Sequence, residues 1–309
     1  MILGPSLEVP VVAVPLPLLH SDEAGLPLQT ILWVAGLAAV GIAYGFGLSR
    51  VRRSGRWQAV GAVRAAAFYL ALLALAFTQI GPIATFADDF FWVHMVQHFL
   101  YWLAAPLILL GSPLLVAVRS TRKEWLQGLL PPIVNSGLVR RVLPSKAYPV
   151  LAWSLFVVTV TVWHLPGLYN ATLENEAIHL VEHLSFLATS LLFWSVVIDP
   201  RPWRSHLSHA GRVIYLILAY FQSIFLGWLL TFSSEPWYPF YATLRQEGLS
   251  AVLDQNLGGQ IMWIPGGMMY LLAILVTINA WLNREERTVT AQERAAQPRG
   301  TIQDHRAGG

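Results

Sequence analysis

The chain has 309 residues, of which 55% are hydrophobic and only 12% charged, with a mean hydropathy of +0.54 and 13 tryptophans. Soluble domains carry about 25% charged residues, so the composition excludes an ordinary water-soluble fold and describes a polytopic membrane protein. The pI of 9.3 rests on a net charge of only +3, with the basic residues set between apolar runs, which argues against nucleic-acid binding. Cysteine is absent, so disulfides, thiolate metal sites and C-x-x-C chemistry are all excluded.

The first 26 residues hold several prolines and lack the basic start of a cleavable signal; they read as an exposed arm. About 20 apolar residues are needed to cross 30 Å of hydrocarbon. Seven stretches reach that length: 27–49, 60–83, 92–118, 148–168, 177–198, 212–232 and 258–282. The expected fold class is therefore all-α, with seven transmembrane helices in one domain, residues 27–283. In the first span, Gly41 and Gly45 form a small-xxx-small pair suited to close helix approach. The connection from Arg119 to Ala147 mixes Trp125, Leu126, Leu129 and Leu130 with basic groups and reads as interfacial. In the last span Pro265, Gly266 and Gly267 predict a kink. Residues 284–309 are charged and read as a disordered cytoplasmic tail.

Eighteen of the 20 Lys and Arg residues fall in alternate connections and in the tail, leaving only Arg64 and Arg245 elsewhere. By the positive-inside rule those connections and the C-terminus are cytoplasmic, and the N-terminus is outside.

That orientation collects the histidines. His20, His206, His209 and His305 fall in the arm, a cytoplasmic loop and the tail, where solvated side chains are expected. The other five share one level near the outer face: His94 and His98 at the start of the third span, His164 at the end of the fourth, and His179 and His183 at the start of the fifth. Residues at i and i+4 lie on one helical face, about 6 Å apart along the axis. Each H-x-x-x-H can thus aim two imidazoles at one point. The short link between the fourth and fifth spans makes them antiparallel neighbours and brings His164 towards His179. Ionisable groups inside spans point to function, and neutral imidazole is the commonest metal ligand.

Imidazole alone does not choose among copper, zinc, iron and nickel. Two histidines on one turn cannot both ligate one haem, which places a haem-binding electron carrier third among the readings. Met95 and Met262 sit at similar depth, and thioether donors there would tilt the site towards Cu(I). HLVEH at 179–183 also matches H-x-x-E-H, in which two histidines hold zinc and the glutamate activates water. A zinc-dependent membrane hydrolase is accordingly the alternative function. Against it, the partner motif HMVQH has Gln97 where a carboxylate would stand, and five histidines overfill a three-ligand catalytic zinc. Glu182 is then expected to orient a ligand histidine rather than to act as a base.

Four segments, in order, carry a more specific signal: HMVQHFLYWLAAPLILLGSPL, WHLPGLYNATLENEAIHLVEHLSFLATSLLFW, YLILAYFQSIFLGWLLTFSSEPWYPFY and DQNLGGQIMWIPGG. Together they resemble the CtaG-type (caa3 oxidase) cytochrome c oxidase assembly factors of bacteria, from about Asp88 to Asn283. One departure is the single Pro106 where the family pattern has a proline pair. The resemblance implies a non-enzymatic plasma-membrane protein needed to assemble a haem-copper oxidase, with copper installed on the outer side. Its partners would be an oxidase subunit in the same membrane and the lipid bilayer. Its histidines map onto His94 and His98, His164, and His179 and His183. The expectation is a copper site, as Cu(I), delivering to the oxidase.

Overall fold

A computed structural model describes residues 28–55, 57–120, 145–199, 207–243 and 249–296. The described residues are helices and turns without a strand. In chain order the helices are α1 (Leu28–Arg53), α2 (Gly61–Phe77), α3 (Pro82–Phe86), α4 (Phe91–Gly111), α5 (Pro113–Ser120), α6 (Tyr148–Trp163), α7 (Pro166–Glu174), α8 (Glu176–Ile198), α9 (His209–Thr231), α10 (Pro239–Thr243) and α11 (Ala251–Ala296). Six of these, alone or merged across a short break, are long and apolar enough to span a membrane, and the α6–α7 pair makes a seventh if taken as one bent span.

The fourth predicted span, 148–168, is broken. α6 and α7 meet at 72°, and the cause is local. Leu165 precedes Pro166 and is extended (φ −68°, ψ 133°), as a pre-proline residue must be, while Pro166 starts the next helix where its missing N–H costs nothing. His164 is left on the corner rather than inside a helix. The last helix also departs from expectation. It continues past residue 283 to Ala296, where a disordered tail was expected, and it contains Pro265. Arg, Glu, Gln and Ala are good helix formers, and a segment that extends an existing helix needs no new nucleus. The N-terminal arm, most of the 119–147 connection and residues 297–309 lie outside the described residues.

α4 is the middle of the bundle. It packs against α2, α8 and α11, and it buries residues on every side, from Phe91, Val93 and Met95 to Trp102, Ala104 and Ala105. A helix apolar all round belongs in a core. It stops at Ser112, which takes a left-handed conformation (φ 52°) before Pro113 begins α5. α8 is started by Asn175, whose side chain accepts from the amides of Ala177 and Ile178 at 2.9 and 3.2 Å.

Lipid tails are as apolar as leucine, so helix pairs in a bilayer are held by close packing and internal hydrogen bonds. Two contacts follow that rule. Tyr69 of α2 donates to the carbonyl of Gly41 in α1 at 3.1 Å, so the glycine pair there does admit a neighbouring helix. Between α9 and α11 the approach is closer: a Cβ on Gly259 would stand 2.7 Å from the Gly227 carbonyl oxygen and 2.6 Å from the Thr231 amide. Backbone cannot yield to that, so glycine is required.

Candidate metal centre

All five histidines meet where α4, α8 and the α6–α7 corner come together. His94 and His98, one turn apart on α4, have their Nε2 atoms 2.8 Å apart. Glu182 of α8 faces both, with its carboxylate oxygens 3.8 Å from His94 Nε2 and 3.6 Å from His98 Nε2. His183 completes a quartet whose potential ligand atoms all lie within 4.8 Å of one another. The quartet is sealed: His94, His98 and Glu182 are 0% exposed and His183 is 3%.

The remaining two histidines flank it. His179, partly exposed, packs on His94 and His183 with ring centroids 5.0 and 4.2 Å away. His164, on the corner, faces His98 at 5.9 Å. Its Nδ1 lies 2.6 Å from the Val160 carbonyl oxygen. A carbonyl only accepts, so Nδ1 carries the proton and the neutral ring leaves Nε2 bare. That is the tautomer a metal ligand needs, held by the backbone partner that ligating histidines commonly use.

Polar atoms without partners define the centre. Among the described residues, both Glu182 oxygens, His98 Nδ1 and the Nε2 atoms of His164, His179 and His183 are buried with no hydrogen bond. Each such atom costs about 1–3 kcal/mol, more for a charged group, and native proteins rarely leave several together. A cation held by the quartet would give the Glu182 carboxylate the partner it lacks. The donor set is nitrogen and oxygen, without sulfur in the quartet, and it fits a first-row transition metal such as copper or zinc. Met95 and Met262 are buried in the main apolar cluster, and Met95 lies against Gly258 of α11.

Aromatic side chains surround the centre. Tyr101 stacks on His183, with centroids 4.6 Å apart and planes at 26°, and Tyr169 lies 5.2 Å from His94. Tyr238 and Tyr241 come from the segment that links α9 to α11. Tyr238 donates to the His164 carbonyl at 3.0 Å. Tyr241 donates to the Ala87 carbonyl at 3.1 Å and stands 3.5 Å from His94 Nδ1. Burial pushes both phenols up, so they remain neutral. These tyrosines were not singled out from sequence. The WYPFY string that holds two of them is legible there, but its distance along the chain from His94 hides the contact.

A family model described as the cytochrome c oxidase caa3 assembly factor (Caa3_CtaG) matches residues 42–284. The chain belongs to this family. The matched region contains every residue of the quartet and both flanking histidines, and membership agrees with the resemblance drawn from the four segments. An assembly-factor family speaks for a non-enzymatic role, and its helices fit a multi-pass protein of the bacterial plasma membrane. An uncharacterized protein of Mycobacterium bovis is 28% identical over 283 residues, covering 87% of this chain and 41% of its own length. One from Mycobacterium tuberculosis gives the same figures, and one from Mycobacterium leprae is 27% identical over 272 residues, covering 83% of this chain and 40% of its own. The chain thus spans about two fifths of the length of the curated relatives it matches. No solved structure matches.

Proposed function

We propose that this protein binds copper at the outer-leaflet histidines and installs it in a haem-copper oxidase in the same membrane. The observation that carries the reading is the sealed quartet of His94, His98, Glu182 and His183 with its unpartnered nitrogens and carboxylate oxygens. In this reading the quartet holds the ion and His179 and His164 flank it on either side. His179 is the one histidine of the five with appreciable exposure, which suits it to receive or pass on the ion at the rim. Neutral imidazoles without thiolates bind copper and still release it to a partner.

Glu182 changes role relative to the sequence expectation. Its carboxylate stands among the ligand atoms, so it serves as a direct anionic ligand in this proposal. The same placement weakens the hydrolase alternative, because a glutamate that ligates the ion is not free to activate water, and the quartet uses only one histidine of H-x-x-E-H.

Metal analysis and an optical spectrum of the purified protein test the reading. Copper without a Soret band is expected; stoichiometric zinc supports the hydrolase and a Soret band the haem carrier. In cells, deletion of the protein or His98→Ala should yield oxidase deficient in copper with haem less affected. Fully metallated, active oxidase in the deletion strain under limiting copper refutes the assembly role for this chain.

A further inference from the structure

α4 begins without a cap of its own: Phe90, in extended conformation, precedes it and offers no side-chain acceptor. The missing partner comes from 163 residues away. Asp254, in the first turn of α11, accepts from the Phe91 amide through Oδ2 at 2.8 Å and from the Trp92 amide through Oδ1 at 2.9 Å. It is 4% exposed. The first amides of a helix carry its positive end, so a buried carboxylate with both oxygens bonded there is strongly held.

The next two residues bind other backbone ends. Gln255 accepts from the Trp237 amide at 2.6 Å and donates to the Glu235 carbonyl at 3.2 Å, which anchors the segment bearing Tyr238 and Tyr241. Asn256, when its side-chain amide is assigned with the nitrogen towards α9, donates to the Leu230 and Thr231 carbonyls at the end of that helix at 3.1 and 3.2 Å. Asp254, Gln255 and Asn256 thus tie the start of α4, the tyrosine segment and the end of α9 to one point on α11.

His94 and His98 follow the capped amides by two to seven residues, within the first two turns. α4 cannot rotate or slide at this end without breaking both bonds to Asp254. From this juxtaposition we infer that Asp254 is a positioning residue of the metal centre: it sets the axial and rotational register of α4 that holds His94 and His98 against Glu182. The inference rests on the metal reading above. Asp254 bonds to the α4 amides rather than to the histidines or Glu182, and it acts through the helix.

The test compares Asp254→Asn, Asp254→Ala and Ser208→Ala with the full-length wild type in detergent. Ser208 caps α9 by accepting from the Gly211 amide at 3.1 Å, away from the centre, and controls for loss of a cap alone. Three readouts are taken: copper affinity by competition with a chelator in reducing and in aerated buffer, X-ray absorption at the copper edge, and amide exchange of residues 91–98. Asp254→Asn keeps the shape but turns one acceptor into a donor facing an amide. It is expected to speed exchange at 91–98, weaken copper at least about 10-fold, in the range seen when supporting partners of a metal ligand are lost, and alter the absorption spectrum. Asp254→Ala should do more, and Ser208→Ala should leave copper and spectrum unchanged. Wild-type affinity and spectrum in Asp254→Asn, unaltered exchange at 91–98, or an equal copper defect in Ser208→Ala each overturns the proposal. Failure of the wild type to take up copper sinks the metal reading instead, and the exchange arm then decides alone whether Asp254 holds the start of α4.

Discussion

Glu182→Gln separates the roles open to the central carboxylate, and the structure sets opposite signs for the metal-free and loaded states. The side chain is 0% exposed and neither oxygen has a hydrogen-bond partner. Without metal, glutamine of the same size removes a buried charge that lacks good compensation, so the variant should melt at or above the wild type. With metal the order reverses. Two unit charges about 4 Å apart attract by about 4 kcal/mol at an effective dielectric constant near 20, which corresponds to roughly a 1,000-fold loss in affinity. A carboxylate that only orients a ligand histidine would cost about 10 to 100-fold. At a copper concentration about 100 times the wild-type Kd, the wild type gains about 2.7 kcal/mol from the ion, whereas a variant weakened about 1,000-fold gains almost nothing. Thermal unfolding in detergent, with chelator and with copper, together with a competition titration, reads both effects. Unchanged copper affinity in Glu182→Gln would refute the placement of Glu182 as a ligand. A variant less stable than wild type without metal would refute the account of the unpartnered carboxylate.

The quartet predicts a hierarchy among the histidines. His98→Ala and His183→Ala should each nearly abolish copper retention, with the double variant little worse, because ligands of one site act as a unit; His164→Ala and His179→Ala should lose less, and equal, additive losses across all four would point to separate sites. Orientation is checked by cysteine labelling, which the cysteine-free chain makes clean. Glu174→Cys, exposed at the end of α7, should react with an impermeant thiol reagent in intact cells, and Glu286→Cys, exposed on α11, should not; the reverse pattern inverts the topology. Gly259→Ala forces a Cβ onto the α9 backbone and should destabilise by about 1–3 kcal/mol, measured as a lowered melting temperature at unchanged helicity, whereas Gly36→Ala, with nothing within 4 Å, should have little effect.

The membrane class and the approximate spans could be read from the chain alone because both depend on local quantities, the length of an apolar run and the charge of its flanks. The gathering of five histidines at one level follows in the same way, from i, i+4 spacing and a count of spans. Helix faces are also local, but their rotation about one another is not. Whether Glu182, three residues after His179, faces the histidines or sits behind them depends on how α8 packs on α4, and periodicity is silent on that. The corner at His164 was half legible, since Leu165–Pro166 announces a break in the backbone, yet a simple length count merges the two pieces into one span. Tyr238, Tyr241 and the Asp254 carboxylate at the start of α4 were beyond reach. Their contacts with α4 cross some 147 to 163 residues of chain, and only the docking of α11 against α4, made close by side chains that fill the gap between two backbones, brings those groups together.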